Sequence, residues 1–237
     1  MANNIINRVK FITRGEEILK KMMTENNFDF EKIIPTPKTL LVTSGSIVNF
    51  TITYAYNKKS EEEKAKIKET IKNYLEFKNL EKKEKCYLEY LEKELNLKEG
   101  INTPLKDFGI KSLEDLGNFY INNIIKYGFP TWYEWRIANW GTKWNAFGTE
   151  ILSNDEIKFQ TTWNCPEEIF KALSNIYEDV EIVVNYADEN IGNNCGRICF
   201  LNGEIIEYID KEGDIDFALG LRGISRKEYN EWNGYEE

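Results

Sequence analysis

In the second half of the chain, apolar and polar residues alternate with a period of two, and this alternation most restricts the possible folds. Residues 157–163 and 180–186 alternate as half-buried strands do, with Ile157, Phe159, Thr161 and Trp163 on one face of the first, and Val180, Ile182, Val184 and Tyr186 on one face of the second. Pro166 between them stands at a helix start, and an apolar stripe follows it, made of Ile169, Phe170, Leu173, Ile176 and Tyr177. Asn202-Gly203 predicts a hairpin, because both residues accept the positive φ of a type I′ turn. The second half of the chain is therefore predicted to contain several strands and a helix.

A strand and a helix also begin the chain. Residues 5–12 alternate as a strand with Val9 and Phe11 on one face, and Gly15 opens an amphipathic helix. The order is β-α, a helical insert, then β-β-α-β and a hairpin. Without the insert this order is βαββαβ, the ferredoxin-like arrangement. We therefore predict an α+β fold: a ferredoxin-like βαββαβ antiparallel sheet with a large helical insertion and an extra C-terminal β-hairpin.

The same pattern predicts how the chain divides into domains. Residues 1–43 and 147–212 form the discontinuous ferredoxin-like core, and residues 44–146 form the helical insertion. Residues 213–237 form an acidic C-terminal tail with weak helical signals. Within the insertion, residues 44–55 fit either a strand or a helix, because they are rich in β-branched residues but follow serines that could cap a helix.

Two serines mark helix starts inside the insertion. Ser60 with Glu63 forms a capping box, and Ser112 with Asp115 caps a later helix. Residues 61–97 combine dense charge of both signs with apolar residues at helical spacing, which predicts an exposed pair of helices or a long helical hairpin.

Histidine is absent from all 237 residues, and this absence excludes several kinds of catalytic site. No Ser-His-Asp triad, Cys-His pair or histidine-containing zinc site can form. The four cysteines, Cys86, Cys165, Cys195 and Cys199, are too sparse for a disulfide scaffold. Cys195 and Cys199, with Cys165 near them, could bind zinc only if Cys86 or a carboxylate completed the ligand set, and we expect small buried side chains instead. We predict no catalytic residue, no metal and no cofactor, although the absence of histidine does not exclude an enzyme.

The net charge of −9 is unevenly distributed. From Glu178 to the end there are 15 acidic and 5 basic residues, a balance of −10, so the first 177 residues carry about +1. An acidic C-terminal third opposes binding to a phosphate backbone and suits a basic partner surface, although it also fits a solvated face. Apolar runs are too short to span a bilayer, and no signal peptide is evident, so we expect a cytoplasmic protein.

Four of the six tryptophans fall within residues 132–144. Thr131 can cap a short helix there, and Gly141 can end it in the left-handed conformation. One interpretation is a core plug that joins the insertion to the sheet. The other is a stacking platform for a ligand, with Lys143 and Arg136 as cationic neighbours. The binding candidates in and near this segment are Trp140, Lys143, Trp144, Asn145 and Trp163.

Asp188 and Glu189 follow a predicted strand, and strand ends can carry a carboxylate pair or Mg²⁺ ligands. Adjacent residues at a strand end usually diverge. The alternative is a turn, in which Asp188 and Asn190 bond to local backbone and Gly192 has a positive φ. Both carboxylates remain binding candidates.

Five blocks of the sequence occur in the order found in a known family. They are residues 3–9, 28–37, 139–146, 159–163, and 186–192 with 194–196. Together they resemble the YubB ferredoxin-like family of phage- and plasmid-borne proteins, and the block 139–146 is the most specific. Cys165-Pro166 and the charged stretch 58–100 depart from the family pattern. The resemblance implies a ferredoxin-like fold and a mobile-element origin, with no established activity and no catalytic residues to carry over.

These observations predict a non-enzymatic accessory protein of a phage or mobile element. We expect it to act in the host cytoplasm by binding and inhibiting a host defence protein that has a basic surface. We expect no membrane and no nucleic-acid partner. Two alternatives stay open: a nucleotide or nucleic-acid binder that uses the stacking platform, and a carboxylate- or metal-dependent hydrolase centred on Asp188 and Glu189.

Overall fold

The computed structural model of this protein describes residues 3–76, 80–96 and 105–234. Parts of the predicted segments therefore lie outside the described residues, namely positions 1–2, 77–79, 97–104 and 235–237. The chain forms two compact units. The sheet unit comprises Met1–Pro35 and Arg136–Glu237, and the helical unit comprises Thr36–Trp135. The domain boundaries predicted after residues 43 and 146 stay a prediction.

Eight strands are present in the described residues. They are β1 (Asn4–Phe11), β2 (Met23–Thr24), β3 (Asn27–Phe28), β4 (Phe147–Ser153), β5 (Glu156–Thr162), β6 (Ile182–Asp188), β7 (Cys195–Leu201) and β8 (Glu204–Asp210). Six of them form one antiparallel sheet in the order β4-β5-β1-β6-β7-β8, and β2 pairs with β3 separately. The first four strands of that order have the ferredoxin-like arrangement, and the β7–β8 hairpin extends it, so the predicted fold class is confirmed.

The helices of the described residues are α1 (Gly15–Met22), α2 (Ile47–Asn57), α3 (Glu61–Ile71), α4 (Leu80–Asn96), α5 (Leu113–Tyr127), α6 (Trp132–Trp140), α7 (Glu167–Ile176), α8 (Ile215–Arg222) and α9 (Arg226–Asn233). Short 3₁₀ helices occur at Phe30–Lys32, Lys38–Leu40, Lys72–Tyr74 and Leu105–Phe108. The boundary between the two units falls within α6.

β1 lies inside the sheet, with β5 on one side and β6 on the other. Val9 of β1 pairs with Ile157 of β5 and with Val184 of β6, and all three side chains are fully buried. Because side chains alternate between the two faces of a strand, every second residue of β1 contributes to the same core. The prediction that Val9 and Phe11 share one face of this strand agrees with their complete burial.

Aromatic rings fill the core beneath α7. The Phe170 ring of α7 lies 6.4 Å from that of Phe159 in β5 and 5.6 Å from that of Phe200 in β7. Phe159 also stacks on Phe28, with ring centroids 5.5 Å apart. All four side chains are fully buried, and the burial of such large rings dominates the energetics of a core.

The helical unit has its own core, formed by buried residues of α2 to α5 and their connections: Val42, Ile47, Val48, Phe50, Ile52, Ala55, Tyr56, Ile71, Leu91, Leu105, Ile110, Leu113, Leu116, Tyr120, Ile121 and Ile124. The buried Tyr120 hydroxyl donates to the Thr43 carbonyl oxygen at 2.7 Å. The Asn123 amide donates to the carbonyl oxygens of Thr39 and Pro130. These bonds satisfy polar groups that burial would otherwise penalise.

Several local predictions are confirmed. Ser60 and Glu63 form the capping box of α3, and the Ser112 hydroxyl accepts from the Asp115 N–H at the start of α5. The ambiguous stretch 44–55 is mainly helical and forms α2, because eight residues of that helix are buried in an all-helical core. Asn202 and Gly203 join β7 to β8 with φ angles of 52° and 80°, as a type I′ turn requires.

The segment after residue 213, predicted to be an acidic tail, folds into α8 and α9. The Asp214 carboxylate caps α8, and Ala218 and Leu219 of this helix are buried. Ala218 packs in a cluster with Ile6, Ala187 and Cys195, against the ends of β1, β6 and β7. The sequence did not predict this packing, because the apolar residues of α8 are few and lie within an acidic segment.

None of the described helices combines the length with the apolarity that crossing a membrane demands.

Candidate functional site

Trp140, the last residue of α6, belongs to the core of the sheet unit. Its side chain is fully buried, and its indole N–H donates to the Ile34 carbonyl oxygen at 2.8 Å. The ring meets Phe30 edge to face, and the Arg136 guanidinium lies 4.5 Å from its centroid. A wholly buried indole has no face open to a ligand. The structure therefore places Trp140 as a core residue and not as part of a stacking platform.

Arg136 also belongs to this core. It is buried, and its guanidinium forms an ion pair with Glu31 at 2.7 Å. Burial lowers the pKa of Arg136, and the charge of Glu31 opposes that shift. Arg136 thus stabilises the core through Glu31 and is not available as a cationic neighbour for a ligand.

Asn145 fixes the loop after α6 against the segment that follows β3. Its side-chain oxygen accepts from the Phe30 N–H at 2.9 Å, and its NH₂ group donates to the Asp29 carboxylate at 2.7 Å. Asp29 also accepts from the Thr24 hydroxyl and the Glu31 N–H. All contacts described for Asn145 are made inside the protein, which indicates a positioning role.

Lys143, Trp144 and Trp163 form a compact group, here called the Trp–Lys cluster. The Lys143 ammonium lies 4.2 Å from the centroid of the Trp144 ring and 4.3 Å from that of Trp163. Both distances fall within the range of a cation–π interaction. Trp144 remains 45% exposed, whereas Lys143 and Trp163 are half-buried. Of the five predicted binding candidates in and near the tryptophan segment, the structure brings Lys143, Trp144 and Trp163 together.

Two threonines hold the two parts of the Trp–Lys cluster together. The buried Thr142 hydroxyl donates to the Thr162 carbonyl oxygen at 2.9 Å, and the Thr162 N–H donates back to the Thr142 hydroxyl at 3.2 Å. Gly141, with a φ of 79°, ends α6 in the left-handed conformation, as predicted, and turns the chain toward β5. The loop that carries Lys143 and Trp144 is thereby fastened beside Trp163.

Trp163 has a left-handed backbone, with a φ of 74°. This conformation is strained for a bulky residue and costs about 1–3 kcal/mol. Two contacts hold it there: the Trp163 N–H donates to the Asn3 carbonyl oxygen, and the Trp163 carbonyl oxygen accepts from the Asn194 amide, both at 2.9 Å. Sequence reasoning selected Trp163 but missed Asn3 and Asn194, which lie far from it in the chain.

Asp188 lies at the same end of the sheet. Its carboxylate accepts from the Asn3 amide at 3.2 and 3.3 Å and from the Asn190 N–H at 2.8 Å. The bond to the N–H two residues later is the interaction expected of a turn. Gly192 has the expected positive φ of 84°. Asp188 is buried and Glu189 is exposed, so the two adjacent carboxylates lie in different surroundings.

Arg222 of α8 is a residue that sequence reasoning did not select. Its guanidinium donates to the carbonyl oxygens of Asp188 at 2.8 Å, Asn4 at 2.6 Å and Ala187 at 3.2 Å. Burial lowers the pKa of Arg222, while the charges of Asp188 and Glu189 act in the opposite direction. Arg222 thus fastens α8 to the strand ends beside the Trp–Lys cluster.

The described residues contain no group of three or more acidic or cysteine side chains that could hold a metal ion. Cys165, Cys195 and Cys199 are buried, and Cys86 is exposed. Burial raises the pKa of the three buried thiols, which disfavours the thiolate that a metal or a nucleophilic reaction requires.

A second candidate surface lies on β8, at one edge of the sheet. Most of its side chains are exposed, and the exposed ones define the β8 edge surface: Glu204, Ile206, Glu207, Tyr208, Ile209 and Asp210. An edge strand presents backbone N–H and C=O groups that can pair with another strand. The sequence predicted this strand but not its exposure, although its mixture of acidic and apolar residues was a usable signal.

Comparison with known proteins supports the fold of the C-terminal part. Residues 139–229 match a family model described as a ferredoxin-like domain in Api92-like protein. The crystal structure of a protein api92 from Yersinia pseudotuberculosis aligns over 88% of this chain and 97% of that chain, with a TM-score of 0.40 and 10% identity. No curated protein matches the chain. The matched family is coarser than the one that the five sequence blocks resemble. Residues 139–229 are thus similar to the ferredoxin-like domain of Api92-like proteins.

Proposed function

We propose that this chain is a non-enzymatic accessory protein of a phage or other mobile element that binds and inhibits a basic host protein. The five sequence blocks that resemble a family of phage- and plasmid-borne proteins support the mobile-element origin. A host defence protein is the proposed target, because accessory genes of mobile elements often act on host defences. The proposed site of action is the host cytoplasm.

The β8 edge surface is the observation that carries the binding proposal. Ile206 and Tyr208 are more than half exposed, and the carboxylates of Glu204, Glu207 and Asp210 lie along the same strand. Apolar side chains among charges on an open edge suit an extended segment that adds a strand to the sheet. The Glu207 carboxylate already lies 3.4 Å from the Arg197 guanidinium, but those of Glu204 and Asp210 favour a partner segment that carries lysine or arginine, through complementary charge.

The overall charge distribution agrees with this choice of surface. The helical unit contains 16 basic and 15 acidic residues, a net charge of +1, so the sheet unit must carry −10 to give the total of −9. A strongly negative unit attracts a basic partner over long range and raises the association rate, most of all at low salt.

The test compares charge reversals on two surfaces. The double variant Glu204→Lys/Glu207→Lys changes the β8 edge surface, and Glu61→Lys/Glu62→Lys makes the same net-charge change on exposed positions of α3. Both proteins and the wild type are used to capture partners from host lysate at low and high salt. We expect one host protein to bind the wild type and the α3 variant, with less captured at high salt.

The β8 variant should lose that partner. Equal capture by both variants would show that the β8 edge surface does not bind the partner. The absence of any specific partner at low salt would contradict the proposed binding function. Purified partner and wild-type protein should then associate with a rate that falls as ionic strength rises.

A further inference from the structure

The Trp–Lys cluster holds a cation, the Lys143 ammonium, against two indole rings. Within the described part of the chain, no carboxylate oxygen lies within 4.0 Å of the Lys143 ammonium. The indole rings of Trp144 and Trp163 hold it instead. An ammonium held by ring faces keeps its charge and its N–H donors, so it can still bind an anion.

This arrangement also decides which ligands fit. Lys143 already occupies the place that a ligand cation would take against the two rings, so the cluster is no cage for methylated ammonium groups. What remains open is indole surface of Trp144, which is 45% exposed, next to a positive charge. A flat aromatic ring that carries an anionic group matches both features. We propose that the Trp–Lys cluster binds a mononucleotide, with the base stacked on Trp144 and the phosphate beside Lys143.

The strained backbone of Trp163 indicates that the Trp–Lys cluster is preorganised. A φ of 74° is unfavourable for tryptophan, yet Asn3 and Asn194 hold it in place from distant parts of the chain. Thr142 and Thr162 fasten the opposite side of the cluster. The cation and the exposed ring are therefore held in position before a ligand arrives, which reduces the entropy lost on binding.

Charge favours a single nucleotide over a strand of nucleic acid. The cluster contributes one cation, whereas nucleic-acid grooves align several along the phosphate backbone. The sheet unit around it has a net charge of −10, which repels a polyanion far more than a monophosphate.

Isothermal titration calorimetry of the full chain with four probes tests the proposal: AMP, adenosine, ribose 5-phosphate and a short oligodeoxyadenylate. AMP should bind, and Trp144→Ala should weaken the binding of both AMP and adenosine about tenfold, the range seen for loss of one stacked base. Lys143→Gln should weaken AMP and leave adenosine unchanged. Trp232→Ala removes a more exposed indole, 68% open on α9, and should bind AMP as the wild type does.

Three results would overturn the proposal: no heat from AMP at millimolar concentration, unchanged AMP affinity in Trp144→Ala, or tighter binding of the oligodeoxyadenylate than of AMP. Circular dichroism of each variant confirms that it is folded. The Glu204→Lys/Glu207→Lys variant should bind AMP normally, so this proposal and the host-protein proposal can fail independently.

Discussion

Single residues in the tryptophan segment have separate roles that their closeness in sequence conceals. Trp140 is a core residue whose indole N–H is hydrogen-bonded, Asn145 holds the loop after α6 by accepting a hydrogen bond from the Phe30 N–H, and Trp144 is exposed to solvent. The sequence could predict that α6 ends at Gly141, because glycine is the common residue at that position. It could not predict which indole is buried, because helical periodicity gives no guide to side-chain direction after the helix ends.

Asp29 gives a test of these local contacts. Burial raises the pKa of its carboxyl, but hydrogen bonds from the Thr24 hydroxyl, the Asn145 amide and the Glu31 N–H outweigh burial and leave the pKa lowered. A carboxyl with a lowered folded-state pKa stabilises the protein above its unfolded-state value of about 3.9, and this stability is lost as pH falls through the folded-state pKa.

Asp29→Asn should therefore reduce the free energy of unfolding by about 1 kcal/mol at pH 7, a modest value because Asp29 is partly exposed. The difference from the wild type should shrink as pH falls below about 4. Urea unfolding of both proteins across this pH range measures it. A difference that stays constant with pH would show that the carboxylate charge has no part in the effect.

At the scale of elements, the sequence predicted strands and caps better than it predicted exposure. Alternation located β1, β5 and β6, and Asn202-Gly203 located the last hairpin, because local chemistry determines turns and capping. α8 and the open edge of β8 depend on contacts between distant segments. The contacts of Arg222 could not be predicted for this reason. Its three carbonyl acceptors belong to β1 and β6, far away in the chain, and no local sequence pattern indicates them.

Gly117 tests how closely α5 packs on α2. A Cβ atom at this position would lie 1.9 Å from the Thr51 carbonyl oxygen and 2.7 Å from the Ala55 Cβ, so the helices would have to separate. Alanine favours helix by about 1 kcal/mol over glycine, but the clash costs more in a packed core. Gly117→Ala should therefore destabilise the protein by about 2 kcal/mol or more.

Gly220 provides the matched control. It also lies within a helix, α8, but a Cβ atom added there would meet no described atom within 4 Å, so Gly220→Ala should stabilise the protein by up to about 1 kcal/mol. Urea unfolding followed by circular dichroism measures both variants. Equal effects of the two substitutions would contradict the close packing of α5 on α2.

At the scale of the whole molecule, the two units differ in charge as well as in secondary structure. The sheet unit carries a net charge of −10, both proposed binding surfaces and the residues that match the Api92-like domain. The helical unit is nearly neutral and has a separate apolar core. The sequence revealed the charge asymmetry, but its functional meaning depends on which strand lies at the open edge.

The helical unit should fold without the rest of the chain. The described part of residues 36–135 includes 16 buried core residues, and the polar groups of Tyr120 and Asn123 bond to Thr43, Thr39 and Pro130, all inside this range. A unit of about 100 residues with its own core can be stable alone.

The fragment 36–135 should therefore give a helical circular-dichroism spectrum and unfold cooperatively in urea. Tyr120→Phe in the fragment should lower its stability by about 1 kcal/mol, because the buried Thr43 carbonyl oxygen loses its donor. A gradual loss of helix with urea, together with strong binding of a hydrophobic dye, would show instead that this core forms only within the complete chain.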